Sequence, residues 1–177
     1  NANAAAGGLP PGTVPPAVGG GLGNFAGAVS CTTPYVYWAE IAGHMPGNNG
    51  SQWRTDVVAR NLGTANAALK FFLHQAGGNL EGTATVDASA MKGFEDVVAT
   101  LGGTNNLGSL EICSDQPLLV NGRIFNDTED GTFGQSIDGH VADLGYNAGQ
   151  TVNLIGLRQK AGLFRSNIIV TNAGATE

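Results

Sequence analysis

Residues 53–63 read WRTDVVARNLG, and this stretch decides the fold class. Its aromatic and β-branched side chains favour a β-strand, and the Asn-Leu-Gly at its end favours a turn. Residues 35–41, YVYWAEI, have the same character and precede the turn-forming run PGNNG. Further strands are predicted at residues 67–74, 83–86, 107–113, 118–125, 132–137, 151–157 and 164–171. About nine short strands separated by turn signals predict an all-β fold, an immunoglobulin-like β-sandwich.

One segment departs from the strand pattern. Its apolar residues recur at helical spacing, which predicts one short helix over residues 92–101 that covers the end of the core: Phe94, Val97, Val98 and Leu101. The sandwich domain is predicted to span residues 33–177. Its core is predicted from the apolar members of these patterns, namely Trp38, Val57, Phe71, Leu73, Val97, Ile112, Leu119, Ile124, Leu154 and Ile168.

Residues 1–32 form a separate Gly-, Pro- and Ala-rich extended segment. Its first 30 residues carry four prolines, eight glycines and no charge. A flexible or polyproline linker is one interpretation. The other is a segment that docks on a neighbouring subunit as an added strand, because it holds apolar side chains suited to a groove: Val14, Val18, Leu22, Phe25 and Val29.

Composition and charge exclude several classes of partner. Charged residues make up 12% of the chain, against about 25% in an ordinary soluble domain. The net charge is -6, and the eight Lys and Arg residues are scattered along the chain. Nucleic acid is therefore a poor partner, because phosphate binding needs clustered basic side chains. No run of about 20 apolar residues predicts a membrane-spanning helix.

The chain contains two cysteines, Cys31 and Cys113. An even count in a chain of exported character predicts a disulfide between them, and two separate buried thiols are the alternative. The expected location is extracellular or at the cell surface.

No catalytic or metal-binding pattern is found in the sequence. His44, His74 and His140 each stand alone, without the spacing of a zinc site, and no nucleophile-elbow motif is present. We therefore expect no enzyme activity, no metal and no cofactor. Arg54 and Asp56 share one face of a strand, where a structural role is favoured over a binding one.

The acidic turn at residues 126–131, NDTEDG, has two interpretations. Its oxygen-rich side chains could hold Ca²⁺, but the segment does not match the twelve-residue calcium loop. The other interpretation, a solvated hairpin tip, is favoured, because Asp130-Gly131 is a hairpin turn signal.

The stretch at residues 53–63 has an echo near the C-terminus. Residues 164–174 read FRSNIIVTNAG, offset by 111 positions, and share Arg, Asn and Gly with WRTDVVARNLG. Two interpretations fit: one domain that uses two equivalent strands, or the beginning of a second copy of the domain.

Five blocks of sequence carry a family resemblance. They are residues 42–56, residues 96–103 (DVVATLGG), residues 108–126 (GSLEICSDQPLLVNGRIFN), residues 130–135 (DGTFGQ) and residues 156–167. Across residues 36–175 the chain resembles an immunoglobulin-like module that recurs in large exported bacterial surface and adhesion-type proteins. The resemblance implies a β-sandwich in an extracellular setting and no catalytic residue.

The function expected from these observations is an extracellular structural subunit that self-associates, as in a fibre, a pilus-like structure or a surface layer. Other copies of the chain are then the main partner. The alternative is an adhesive or carbohydrate-binding module of a larger exported protein, with surface glycans as partners. Its candidate sugar-stacking residues are Tyr35, Tyr37, Trp38 and Trp53.

Overall fold

A computed structural model describes residues 31–47, 50–158, 160, 166 and 168–173. The residues of the predicted docking segment lie outside this part of the chain: Val14, Val18, Leu22, Phe25 and Val29. So do residues 164, 165 and 167 of the last predicted strand.

The described residues form nine strands and one short helix, which confirms the all-β class. In chain order they are β1 Tyr35–Pro46, β2 Gln52–Asn61, β3 Ala67–His74, β4 Leu80–Val86, β5 Met91–Phe94, α1 Val97–Thr100, β6 Asn106–Ser114, β7 Leu118–Thr128, β8 Gly131–Asp138 and β9 His140–Val141.

All strand pairs are antiparallel, and β1 connects two sheets. Sheet 1 has the order β4-β3-β6-β1-β9, and sheet 2 has the order β5-β2-β7-β8. Tyr37 of β1 pairs with Ile112 of β6, whereas Met45 near the end of β1 pairs with Trp53 of β2. A register shift in β1 between residues 39 and 42 lies between these two pairings, and such bulges let one strand pass from one sheet to the other. Among the described strands, β4 and β9 lie at the edges of sheet 1 and β5 and β8 at the edges of sheet 2, so the sheets do not close into a barrel.

The core lies between the two sheets. Phe71 and Leu73 on sheet 1 and Val57 and Ala59 on sheet 2 are buried in one cluster, and the rings of Phe71 and Phe94 meet edge to face at 5.0 Å. Six predicted core residues belong to this cluster and are confirmed: Val57, Phe71, Leu73, Val97, Ile112 and Ile124. Trp38 is also buried, outside the cluster.

Tyr37 joins the two sheets through its hydroxyl group. The Leu118 N–H of β7 donates a hydrogen bond to the Tyr37 hydroxyl oxygen at 2.7 Å. Burial raises the pKa of Tyr37 above its ordinary value, because the phenolate would lose its hydration, and the bond from Leu118 opposes this in part. The buried phenol therefore acts as a neutral link between sheets.

Three predicted core residues are wrong: Leu119, Leu154 and Ile168 are exposed by 61%, 57% and 57%. Leu119 alternates with Leu118 and Val120, which point into the core, so β7 turns Leu119 outward. The strands predicted at 151–157 and 164–171 are not formed by the described residues of those segments. The described apolar side chains of these segments, such as Leu154 and Ile168, therefore lie outside the core of this sandwich.

The helix prediction is also corrected. Residues 91–94 form β5, which pairs with residues 57–60 of β2, and the helix covers only Val97–Thr100. Asp96 begins the helix in the left-handed conformation, with φ 41°, and its carboxylate accepts from the Ala99 N–H at 3.3 Å. Strand pairing with β2 overrides the helical spacing before this cap.

Candidate functional site

The predicted disulfide is confirmed. Cys31 and Cys113 are bonded, with their Cα atoms 5.4 Å apart and 82 residues between them in sequence. Cys113 lies on β6, where it pairs with Val36 of β1 on one side and with Lys70 of β3 on the other. The bond therefore attaches the segment before β1 to the middle of sheet 1.

A buried carboxylate lies next to this disulfide. Glu111 is fully buried, and its Oε2 atom is 2.8 Å from His74 Nε2. The Trp38 ring stacks on the His74 imidazole, with centroids 5.2 Å apart. The contact with His74 gives the buried Glu111 side chain a hydrogen-bond partner, which offsets the cost of removing that polar group from water.

The other oxygen of this carboxylate, Glu111 Oε1, is buried without a hydrogen-bond partner among the described residues. One carboxylate oxygen of Glu111 and the two cysteine sulfurs lie within 4.8 Å of one another. Both sulfurs are used by the disulfide, however, and a disulfide lacks the thiolate that a metal requires. The arrangement is therefore structural.

A second polar network joins β1, β2 and β7 to the turn before α1. The Arg123 guanidinium of β7 binds Asp56 Oδ2 at 2.8 and 2.9 Å, and Asp56 Oδ1 accepts from the Asp96 N–H at 2.9 Å. Asp96 Oδ2 is in turn 2.7 Å from His44 Nδ1 and 3.4 Å from Arg54 Nε. Arg54 contacts Asp96 in the turn before α1, and Asp56 joins that turn to Arg123 of β7. These contacts support the structural role expected for Arg54 and Asp56.

Sequence reasoning missed three members of these networks: Asp96, Glu111 and Arg123. Only Asp96 had a local signal, because an Asp directly before the run VVAT is a helix N-cap. Glu111 and Arg123 acquire their roles from strands far away in sequence, so no local pattern identifies them.

The aromatic residues expected of a sugar-binding platform do not form one. Tyr37 and Trp38 are buried, and Tyr35 and Trp53 are half-buried against the core cluster. Sugar stacking needs an aromatic face open to solvent, so these positions do not favour the carbohydrate-binding alternative.

The acidic turn is the tip of the β7–β8 hairpin. Thr128 pairs with Gly131 across the turn, and the Thr128 hydroxyl donates to the Gly131 carbonyl at 2.6 Å. In the described part of the chain, the acids of this turn do not bring three ligand atoms within reach of one ion. The structure therefore supports a plain hairpin tip.

Strand β8 offers the longest open edge of the described sandwich. It pairs with β7 alone, and every residue except Ile137 is exposed. Its sequence, GTFGQSID, has no proline, no lysine and no charge before Asp138. The next longest edge strand, β4 of sheet 1, differs because it carries Glu81 and because the Lys92 ammonium donates to the Thr85 carbonyl at 3.1 Å.

An open groove of about 480 Å³ runs beside this edge, across β2, β7 and β8. Its wall includes Arg123, whose guanidinium lies over the Phe125 ring at 4.1 Å, and its floor is closed by Gly122 and Gly134. Gly134 allows close strand approach, since a Cβ there would lie 2.1 Å from the Ile124 carbonyl oxygen. The groove and the edge form one continuous exposed surface.

Within the described residues, no helix has the length and apolar character needed to cross a bilayer.

Comparison with known proteins gives a fold neighbour and no family. No family model matches the chain, and no curated protein matches it. A crystal structure of Thermotoga maritima 1070 superposes with a TM-score of 0.51 at 12% sequence identity. The match covers 92% of that chain and 60% of this one. At this identity the similarity is one of fold alone.

Proposed function

We propose that this protein is an extracellular structural subunit that self-associates, as a component of a fibre, a pilus-like structure or a surface layer. The observation that carries the proposal is the open edge of β8. An edge strand presents a row of backbone N–H and C=O groups that can pair with another chain, and folded proteins usually protect such edges with charge, proline or a covering segment. Residues 131–137 of β8 carry no charge and no proline, and no described strand other than β7 pairs with them.

The proposed occupant of the edge is the N-terminal segment, residues 1–30, of a neighbouring copy. This segment is uncharged, as residues 131–137 are, so the pairing desolvates no ionised side chain. Backbone hydrogen bonds would provide the affinity, and the apolar residues Val14, Val18, Leu22, Phe25 and Val29 would set the register. In this arrangement each copy donates one segment and accepts one, which generates an open chain of subunits.

The extracellular part of the proposal is supported by the disulfide. Disulfides persist in oxidising compartments, and the two cysteines of this chain are bonded to each other. The non-enzymatic part is supported by the polar networks. The described histidines His44, His74 and His140 lie against Asp96, Glu111 and Glu40, which are contacts between strands and loops.

The edge is tested by adding one lysine. Phe133 on β8 is exposed by 63% and Leu119 on the interior strand β7 by 61%, so the two side chains form a matched pair. We expect Phe133→Lys to abolish assembly, because a lysine on an edge strand opposes pairing. Leu119→Lys should leave assembly intact. The readouts are negative-stain microscopy and sedimentation velocity at several concentrations.

Deletion of residues 1–30 tests the donor in the same assays. The truncated protein should be a folded monomer, and a peptide of residues 1–30 should bind to it but not to the Phe133→Lys variant. A full-length protein that remains monomeric at all concentrations would refute self-association. Assembly that survives both Phe133→Lys and the deletion would refute the surfaces named here.

A further inference from the structure

A hydroxyl near the C-terminus repeats a contact made inside the sandwich. Thr55 Oγ1 accepts from the Gly43 N–H at 2.8 Å and donates to the Gly43 carbonyl at 3.2 Å. Ser166 Oγ accepts from the Arg158 N–H at 2.9 Å and donates to the Arg158 carbonyl at 2.9 Å. Ser166 is also the residue that the 111-position echo aligns with Thr55. The sequence echo is therefore matched by the same pair of hydrogen bonds between two limbs of a hairpin.

The shared contact makes Arg158 the equivalent of Gly43 in β1, because Ser166 is the equivalent of Thr55. Gly43 and Thr55 are 12 residues apart in sequence, whereas Arg158 and Ser166 are 8 apart. With Arg158 as the equivalent of Gly43, we can count back along β1. Its core residues Tyr37, Ala39 and Ala42 then correspond to Val152, Leu154 and Leu157.

The second limb aligns by the echo itself. The core residues Val57 and Ala59 of β2 correspond to Ile168 and Val170. Every core position of the first hairpin in this comparison is therefore apolar in the second. The second set is exposed to solvent, with Val152 at 43%, Leu154 at 57%, Leu157 at 51%, Ile168 at 57% and Val170 at 87%.

Among the described residues, no strand layer covers the apolar side chains of the second segment as one covers the first hairpin. Residues of β3, β6 and β7 cover the equivalent face in the sandwich. A two-stranded hairpin alone is at best marginally stable in water, and it needs further strands over its apolar face. Residues 151–158 form no strand pair with the sandwich, which disfavours the interpretation that one domain uses both copies of the motif.

We propose that the segment from residue 151 to residue 173 is the first hairpin of a second sandwich of the same fold. The partner of its apolar face is a set of strands with the pattern of β3–β8, carried by the same polypeptide after residue 177. Thr171 connects this segment to the surface of the first sandwich. Its hydroxyl donates to the Glu40 carbonyl and contacts the Ser109 hydroxyl, both at 3.1 Å. The inference does not depend on self-association.

The test supplies the missing strands. Because Gly174 aligns with Gly63, the full chain is extended after Gly174 by a second copy of residues 64–141, with serine replacing the cysteine of the added copy. We expect a second cooperative unfolding transition. We also expect roughly a hundredfold slower amide exchange across residues 152–157 and 168–170 than in the 177-residue chain, within the range set by opening of folded strands.

Two adjacent substitutions test the register in the extended chain. Leu154→Asp, at the equivalent of the core residue Ala39, should abolish the second transition. Ile155→Asp, at the equivalent of Glu40, should leave it unchanged, although Ile155 is the more exposed of the two in the 177-residue chain, at 93%. Equal effects of the two variants, or an extended chain with no added protection, would overturn the proposal.

The unextended protein provides a measurement that does not require the added copy to fold. Val57→Asp should unfold the first sandwich, while Ile168→Asp should leave its unfolding midpoint unchanged and reduce binding of an apolar dye. An Ile168→Asp variant that unfolds as Val57→Asp does would assign the segment to the first sandwich. Concentration-dependent protection of residues 152–157 in the unextended chain would assign the apolar face to a second copy of the chain instead.

Discussion

Replacement of Thr55 by valine tests the contact that joins β2 to β1. Thr55 and Gly43 are both buried, and the Thr55 hydroxyl serves both the N–H and the carbonyl of Gly43. Valine has nearly the same shape but no hydroxyl, so Thr55→Val leaves two buried backbone groups without this partner. An unsatisfied buried polar group costs about 1–3 kcal/mol. We therefore expect Thr55→Val to lower the free energy of unfolding by about 2–4 kcal/mol.

Thr55→Ser is the matched control. It keeps the hydroxyl and removes one buried methyl group, which costs about 0.8 kcal/mol. Urea unfolding followed by tryptophan fluorescence measures both variants. With a slope of about 2 kcal/mol/M, the loss expected for Thr55→Val lowers the urea midpoint by roughly 1–2 M. If Thr55→Val proved no less stable than Thr55→Ser, the hydrogen bonds to Gly43 would contribute nothing to stability and the reasoning would be refuted.

Three further predictions concern the disulfide, the core and an ionisable side chain. Replacing Cys31 and Cys113 together by serine should cost about 4–5 kcal/mol, because the bond closes a loop of 82 residues; alkylation of the unreduced, denatured protein followed by intact mass should label no thiol. Phe71→Ala should cost about 3–5 kcal/mol, whereas Leu119→Ala, on the exposed side of β7, should stay within about 0.5 kcal/mol in the same urea assay. The pKa of Tyr37 is raised in the folded state, so its contribution to stability is present below the unfolded value of 10.0 and is lost as pH rises through the folded value. The urea midpoint should therefore fall as pH rises above 10.0, and the fall should be smaller in Tyr37→Phe.

Local sequence patterns located most of the strands. Strand β3 has the predicted bounds, residues 67–74, and the predictions for β2, β6, β7 and β8 differ from the observed strands by at most three residues at either end. These segments combine β-branched and aromatic residues with clear turn signals, so local preference and tertiary pairing agree. The prediction failed at residues 92–94, where a helical spacing of apolar residues lies in a strand held by β2.

The candidate association surface, the open edge of β8, could not be predicted from local sequence. The strand at 132–137 was predicted, but its place at the edge of sheet 2 depends on the strand order β5-β2-β7-β8, which involves pairs such as Asp56 and Arg123 that lie far apart in sequence. An edge is a property of the whole sheet, because it exists only where no other strand pairs. The sequence of β8 alone therefore does not show that β8 is an edge strand.

The sequence alone determined the all-β class, the cysteine pair and the echo of residues 53–63 at residues 164–174, since each is a matter of residue type and spacing. Only the tertiary structure decided which strand-like segments belong to this sandwich. Residues 53–61 and 168–171 have similar strand propensity, yet the first is paired on both sides and the second is not in a strand. Propensity is a local property of the chain, whereas a strand is stabilised by hydrogen bonds and apolar contacts with distant neighbours.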